Sequence, residues 1–144
     1  MVLQCASCAS DFHLCGCLLQ VRDAQGRLVE MPQDTPPGHY SGSTITAGHV
    51  VALQTQLQQL PSGSVLYIAI KHWKSSDKKF SVLAWGYAAI DQLVDTGPMA
   101  SRVRQGRLGL HLYRKPVAEG PAALSNAKRL MNHPSLHVSL RGLL

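Results

Sequence analysis

The hydrophobic residues of this chain fall into short runs separated by clusters of Gly, Pro, Asp and Ser. Two runs, VLYIAI at 65–70 and SVLAWGYAAI at 81–90, are apolar on both faces of an extended chain. Such a run is typical of a strand buried on both sides, as inside a sandwich. Between them lies the polar stretch KHWKSSDKKF, at 71–80. The pattern therefore predicts neighbouring strands joined by a polar turn, with Leu66, Ile68, Leu83 and Trp85 largely buried.

Other runs predict further strands. They are LCGCLLQV, which ends in the turn RDAQG, and the later LGLHLYRKP and SLHVSLRGLL. VVALQTQLQQL, at 50–60, alternates apolar and polar residues and is closed by PSG, which favours a half-buried strand, although its glutamines would also tolerate a helix. A helix is otherwise expected only around AALSNAKRLM, at 122–131. Six or seven short strands between turn signals predict an all-β sandwich.

Length and composition are those of one globular domain. The chain has 144 residues, of which 45% are hydrophobic and 15% charged, so it is long enough for a single core and too apolar for a disordered tail. The longest apolar runs fall far short of the ~20 residues that a membrane helix needs. No basic and apolar leader is evident at the N-terminus, so we expect a cytoplasmic protein whose cysteines are thiols.

The charge is distributed unevenly along the chain. Residues 1–70 carry two arginines against four acids, whereas residues 71–144 carry twelve basic residues against four acids. The net charge of +6 is therefore the sum of −2 and +8. This asymmetry predicts a basic face that attracts phosphate, whether in anionic lipid, nucleic acid or an acidic partner.

Several stretches occur in the order typical of one domain family. These are LLQVRDAQGRLVE, PQDTP, VALQTQLQQLPSG, LYIAIKHWK with KKF, and LHLYRKP. In this respect the chain resembles the Aida-type C2 domain, the C-terminal domain of axin interactor, dorsalization-associated proteins. The resemblance runs from about Leu18 to the C-terminus, and QDTP, KHWK and LYRKP are its most specific parts.

The resemblance implies an antiparallel C2-type β-sandwich of about eight strands, with at most one short helix in a connection. It divides the chain into a cysteine-rich segment at 1–17, for which flexibility is an open alternative, and a C2 domain at 18–144. It also implies a non-enzymatic module that binds phosphoinositide membranes. The alternative is a protein-interaction module, with a regulatory partner of the axin type and no direct lipid binding.

The polar stretch between the two long runs is the first candidate lipid-binding site. In an extended strand, Lys71 and Trp73 project from one face, and His72 and Lys74 from the other. Lys78 and Lys79 follow in the turn. Several converging cations suit a multivalent phosphate, and a tryptophan can lie at the level of the lipid headgroups. The alternative is a solubilising hairpin tip with the tryptophan ring packed into the core.

A second basic loop contains Arg102, Arg104 and Arg107, and Arg114 and Lys115 follow soon after. We assign these five residues to the same candidate lipid-binding face. Contacts from Lys and Arg to phosphate do not by themselves distinguish lipid from nucleic acid. However, aromatic residues make up only 6% of the chain and do not have the spacing of a platform that stacks RNA bases. We therefore expect a membrane surface, and not nucleic acid, as the partner.

Metal binding has little support in the sequence. Calcium needs six to eight oxygen ligands, whereas the eight acids of this chain are dispersed and lack the pairs expected in calcium loops. Weak binding by Asp23, Asp34, Asp91 and Asp95 stays an alternative. The cysteines follow C-x2-C-x6-C-x-C, with His13 between the pairs, a spacing that suits zinc poorly. We therefore predict no metal and no cofactor.

Catalytic motifs are also lacking. The chain contains no G-x-S-x-G, Walker loop, H-E-x-x-H or G-x-G-x-x-G. Its seven histidines are scattered, and His111 and His137 fall in strand-like runs. The sequence therefore predicts a protein that is not an enzyme.

Overall fold

The computed structural model describes residues 2–6, 15–41, 44–94, 106–117, 121–129 and 135–140. This part of the chain forms nine β-strands, all paired antiparallel, and no helix longer than one turn. The strands are β1 (Val2–Ala6), β2 (Cys15–Arg22), β3 (Gln33–Asp34), β4 (His39–Ser41), β5 (Thr44–Val50), β6 (Val65–Lys74), β7 (Lys79–Ala89), β8 (Gly106–His111) and β9 (Ser135–Leu140). The predicted all-β class is confirmed; the described residues contain nine strands where about eight were expected.

The strands form two sheets that face each other across one core. The five-stranded sheet has the order β4-β5-β1-β9-β8, and the four-stranded sheet has the order β3-β2-β6-β7. Leu19 and Ile68 from the four-stranded sheet share a buried cluster with Leu136 and Val138 from the other sheet. Burial of these facing side chains away from water is the main force that holds the two sheets together.

The two faces of β6 are buried by different parts of the chain. Leu66 and Ile68 point into the core between the sheets, whereas Tyr67 lies on the outer face, in a second buried cluster with Trp85. Side chains from the segment 113–127 cover this outer cluster. This covering of the outer face explains why the run at 65–70 is apolar on both faces. The predicted burial of Leu66, Ile68 and Trp85 is confirmed.

Leu83, which was also expected to be largely buried, is only half-buried. The register of β6 and β7 shifts at this point, because Ile70 pairs with Ala84 whereas Lys71 pairs with Val82. Leu83 is therefore an extra residue opposite the partner strand, which is the geometry of a β-bulge. Beyond the bulge, the hairpin of β6 and β7 continues to its turn.

After β8 the chain crosses from one sheet to the edge of the other. Tyr113 exchanges two backbone hydrogen bonds with Trp85, of 3.1 and 2.7 Å, and Arg129 in turn bridges to Tyr113. This crossing segment, residues 111–115, passes close to β7. A Cβ atom on Gly86 would lie 2.9 Å from the carbonyl oxygen of His111. The crossing carries Arg114 and Lys115 alongside β7.

The prediction of a strand at 50–60 is wrong. β5 ends at Val50, and after an irregular stretch residues Leu57–Gln59 form a 3₁₀ turn. The Glu30 carboxylate accepts hydrogen bonds from the backbone amides of Gln54 and Thr55, at 2.9 and 3.0 Å. A side chain thereby satisfies donors that a sheet ladder would otherwise occupy. The apolar residues of this stretch still pack on the core, which is why they alternate with polar ones.

The helix expected around 122–131 is shorter than predicted. α1 comprises only Pro121–Leu124, and the backbone carbonyl of Lys128 accepts a hydrogen bond from the amide of Arg114. Pairing with the crossing segment therefore replaces further helical turns. None of the helices among the described residues is long and apolar enough to cross a bilayer.

The N-terminal residues contribute two strands. β1 lies between β5 and β9 in the five-stranded sheet, and β2 begins at Cys15. Cys15 and Cys17 are buried in the core of the sandwich. The boundary after residue 17 stays a prediction, although β2 runs across it.

The turn after β2 is held by Asp23, and this predicts a dependence of stability on pH. Burial raises the pKa of Asp23, but hydrogen bonds from Arg27 and from the amide of Gln25 outweigh it, so that the pKa lies below its ordinary value of 3.8. A lowered pKa stabilises the fold above pH 3.8, and the effect is lost as the pH falls further. We expect Asp23→Asn to lower the melting temperature at neutral pH and to flatten its decline below about pH 4.

The exposed Asp91 offers a matched control, because Asp91→Asn removes the same charge outside this turn. Melting curves from pH 7 to pH 2 should show no comparable change for Asp91→Asn. Identical profiles for Asp23→Asn and the native protein would contradict the role assigned to Asp23.

Candidate functional site

The hairpin tip, defined as residues 71–80, is the end at which β6 turns back into β7. Within the described residues, β2 pairs with β6 as far as Cys15 opposite His72, and β6 pairs with β7 as far as Trp73 with Phe80 and Lys74 with Lys79. The turn is closed by a hydrogen bond of 3.2 Å from the amide of Asp77 to the carbonyl of Lys74. The tip is therefore an ordered, exposed projection at one end of the four-stranded sheet.

Two aromatic side chains lie side by side on the outer face of the tip. The ring centroids of Trp73 and Phe80 are 5.3 Å apart in an edge-to-face arrangement, and each residue is 40% exposed. The alternative that Trp73 packs into the core is therefore wrong. The buried tryptophan is Trp85 of the outer cluster, which is 0% exposed and donates from Nε1 to the carbonyl of Arg114 at 2.8 Å.

The four lysines of the tip have different environments. Lys71 forms an ion pair with Asp34, and its Nζ also lies 5.5 Å from the centroid of the Phe80 ring. Lys74 forms an ion pair of 2.7 Å with Asp77. Lys78 and Lys79 are exposed, and neither has an ion pair within the described part of the chain. These two lysines are the most accessible to an external phosphate.

The ion pair with Lys74 also affects the ionisation of Asp77, the acid in the turn. A hydrogen bond from Lys74, followed by one from the hydroxyl of Ser76, lowers the pKa of Asp77 below its ordinary value of 3.8. Asp77 is therefore ionised at neutral pH and offsets part of the positive charge of the tip. The charge that the tip presents comes chiefly from Lys78 and Lys79.

The crossing segment adds a cation to the inner side of the tip. Burial lowers the pKa of His72 below 6.5, and the nearby charges of Lys115 and Lys74 lower it further. His72 is therefore mostly neutral at pH 7 and lies among lysines from two parts of the chain. Arg114, the residue before Lys115, is exposed beside β7. The structure thus brings LYRKP next to KHWK, two motifs that lie far apart in sequence.

Of the remaining candidate residues, Arg107 does not join this cluster. Arg107 lies in β8, opposite Ser139 of β9. The crossing segment runs antiparallel to β7, so Arg107, which precedes Tyr113, lies toward the end of β7 opposite the tip. Arg102 and Arg104 lie outside the described residues. Among the candidates that the structure describes, Arg107 is therefore separate from the tip.

Sequence reasoning assigned no role to Phe80, and it considered Asp34 only as a weak calcium ligand. A register in which Lys74 pairs with Lys79 places Phe80 opposite Trp73, so counting back from a four-residue turn would have identified the aromatic pair. Asp34 has no such local signal. It reaches Lys71 only because β3 and β6 lie on either side of β2.

The candidate metal ligands remain dispersed where the structure describes them. Asp23 pairs with Arg27 and Asp34 with Lys71, and no group of three or more His, Cys, Asp or Glu residues in the described ranges could hold a metal ion. Cys8, His13 and Asp95 lie outside those ranges. The absence of calcium and zinc from the function stays a prediction.

Comparison with known families agrees with this architecture. The family model described as axin interactor dorsalisation-associated protein, C-terminal, matches residues 9–140. The chain belongs to this family. The matched range of this Aida-type C2 domain includes the hairpin tip, the crossing segment and strands β2 to β9. Among curated proteins, none matches the chain.

Proposed function

We propose that this Aida-type C2 domain is a non-enzymatic module that binds anionic phospholipid, and phosphoinositide in particular, through the hairpin tip. The observation that carries the proposal is the exposure of Lys78 and Lys79 on an ordered projection. The charges of Lys74 and Lys115 both act on His72, so these lysines add to the positive potential at the tip.

A membrane surface suits this arrangement of charge. Each lysine near an anionic bilayer contributes roughly 1 kcal/mol, and the attraction falls off within a Debye length. A few lysines on one projection therefore support weak, reversible binding without a deep pocket. The cytoplasmic leaflet carries the anionic lipids, so the proposed location is cytoplasmic and peripheral to the membrane.

Calcium has no part in the proposed mechanism. In calcium-dependent binding the metal bridges protein carboxylates to lipid phosphates, whereas here the cations of the tip supply the positive charge. Asp34 and Asp77, the acids beside the tip, are engaged by Lys71 and Lys74. Lipid binding should accordingly persist after chelation.

Vesicle sedimentation tests the proposal directly. The protein should sediment with phosphatidylcholine vesicles that contain phosphoinositide and stay in the supernatant with phosphatidylcholine alone. Binding should weaken steeply between about 50 and 500 mM salt, because exposed charges are screened. A chelator of divalent cations should have no effect. Equal sedimentation with both vesicle types, or none with either, would contradict the proposal.

A protein-interaction role, with a regulatory partner of the axin type, is the second candidate. Met31 and Val50 favour it, since they are apolar, lie outside the tip, and are 73% and 69% exposed. Exposed apolar side chains of this kind are found in protein-docking surfaces. Failure to bind any anionic vesicle would make this candidate the better account.

A further inference from the structure

We infer that Trp73 and Phe80 form a membrane anchor: both rings enter the boundary between lipid headgroups and acyl chains while the turn lysines contact phosphate. This inference rests on the proposed function and deepens it, because it specifies how the bound domain meets the bilayer. The occupant of the aromatic surface is then a lipid bilayer.

The first support is the placement of the two rings. They are directly opposed on neighbouring strands, 5.3 Å apart, on the same face of the sheet. Lys71 lies over the Phe80 ring and is itself paired with Asp34, so contacts on the protein side hold the ring. The exposed 40% of each residue faces solvent on a support that is already ordered. Little conformational entropy is then lost when the rings enter lipid.

The second support is the distance of the rings from the turn. The Trp73–Phe80 pair is one residue pair behind Lys74–Lys79, and a strand rises about 3.3 Å per residue. The rings therefore begin within about 10 Å of the end of the tip. Apolar groups of peripheral proteins enter the interface by about 5–10 Å. Because the turn extends beyond the rings, the hairpin meets the bilayer with its outer face, and the flexible stems of Lys78 and Lys79 reach the phosphates beside the inserted rings.

The size and surroundings of the pair favour lipid over protein. A large aromatic side chain buries 150–250 Å², so two rings that are 40% exposed offer on the order of 150 Å². A standard protein interface needs about 800 Å² per partner. Tryptophan is enriched at membrane interfaces, and the flanking lysines complement anionic headgroups.

Fluorescence quenching by brominated lipid tests the inference. The chain contains two tryptophans, of which Trp73 is 40% exposed and Trp85 is 0% exposed. With phosphoinositide vesicles made from phosphatidylcholine brominated near the top of the acyl chains, the native protein should lose tryptophan emission. In Trp73→Phe, which keeps an aromatic ring, only the buried Trp85 emits. At lipid concentrations that sediment this variant fully, its emission should be unchanged.

A second variant measures what the rings contribute. Trp73→Ala with Phe80→Ala should weaken vesicle binding by about tenfold or more, because the apolar area that enters lipid is lost. Its melting temperature should stay close to that of the native protein. Binding of the double variant equal to that of the native protein would overturn the inference.

The two proposals fail in distinguishable ways. Sedimentation of the native protein without quenching, or equal quenching in Trp73→Phe, overturns the anchor and leaves the lipid-binding function standing. Failure of the native protein to sediment with any anionic vesicle overturns both, and the aromatic pair is then part of a protein-docking surface.

Discussion

Replacing Lys74, Lys78, Lys79 and Lys115 together by glutamine is expected to abolish sedimentation with phosphoinositide vesicles. At roughly 1 kcal/mol for each lysine, the four substitutions lower the affinity by about a thousandfold. The fold should survive, since exposed lysines contribute little to stability. Circular dichroism and thermal melting would establish that the variant is folded before its binding is measured.

Two double variants distinguish the effect of where the charges lie from the effect of the net charge of the protein. Lys78→Gln with Lys79→Gln, and Arg107→Gln with Lys128→Gln, each lower the net charge of +6 by two. The first pair should weaken binding by about 30-fold, whereas the second should change it only a few-fold. Equal losses would mean that the overall charge, and not the tip, attracts the membrane.

Lys71 is left intact in these variants because of its surroundings. Its side chain is 20% exposed and pairs with Asp34, so its removal would leave that carboxylate without its cation. A defect in Lys71→Gln would therefore mix stability with binding. This is the practical consequence of finding the four tip lysines in different environments.

Trp85→Ala is expected to destabilise the domain by about 3–5 kcal/mol, the usual cost of removing a large buried aromatic side chain. Trp85 is 0% exposed. The centroid of its ring lies 5.1 Å from that of Tyr113 and 6.0 Å from those of Tyr67 and Tyr87. Its loss leaves a cavity in the outer cluster and removes the hydrogen bond to the carbonyl of Arg114. Chemical denaturation, monitored by circular dichroism, would measure the change.

Trp73→Ala is the natural control for this prediction, since it deletes the same side chain from an exposed position. At 40% exposure and with Phe80 as its aromatic neighbour, Trp73 should contribute less than about 1 kcal/mol to the free energy of unfolding. Comparable losses in the two variants would show that the rings do not differ in burial as the structure indicates.

Much of the architecture could be predicted from local patterns. The runs at 65–70 and 81–90 are apolar on both faces because the core covers one side and the segment 113–127 the other. The polar turn between them lies at the exposed end of the hairpin of β6 and β7. The prediction of a strand at 50–60 failed because alternation reports only that every second side chain is covered. Alternation does not show which groups form the hydrogen bonds of the backbone.

The amino-acid sequence by itself determined the all-β class, the hairpin of β6 and β7, and the clustering of charge in the second half of the chain. These properties depend on residues that are neighbours along the chain, and their periodicity can be counted. Tertiary structure alone decided that Asp34 neutralises Lys71, that the charge of Lys115 acts on His72, and that Trp85, not Trp73, is the buried tryptophan. Each of these outcomes depends on strand order or on the crossing between sheets. Both bring together residues that are remote in sequence, and no local pattern records such contacts.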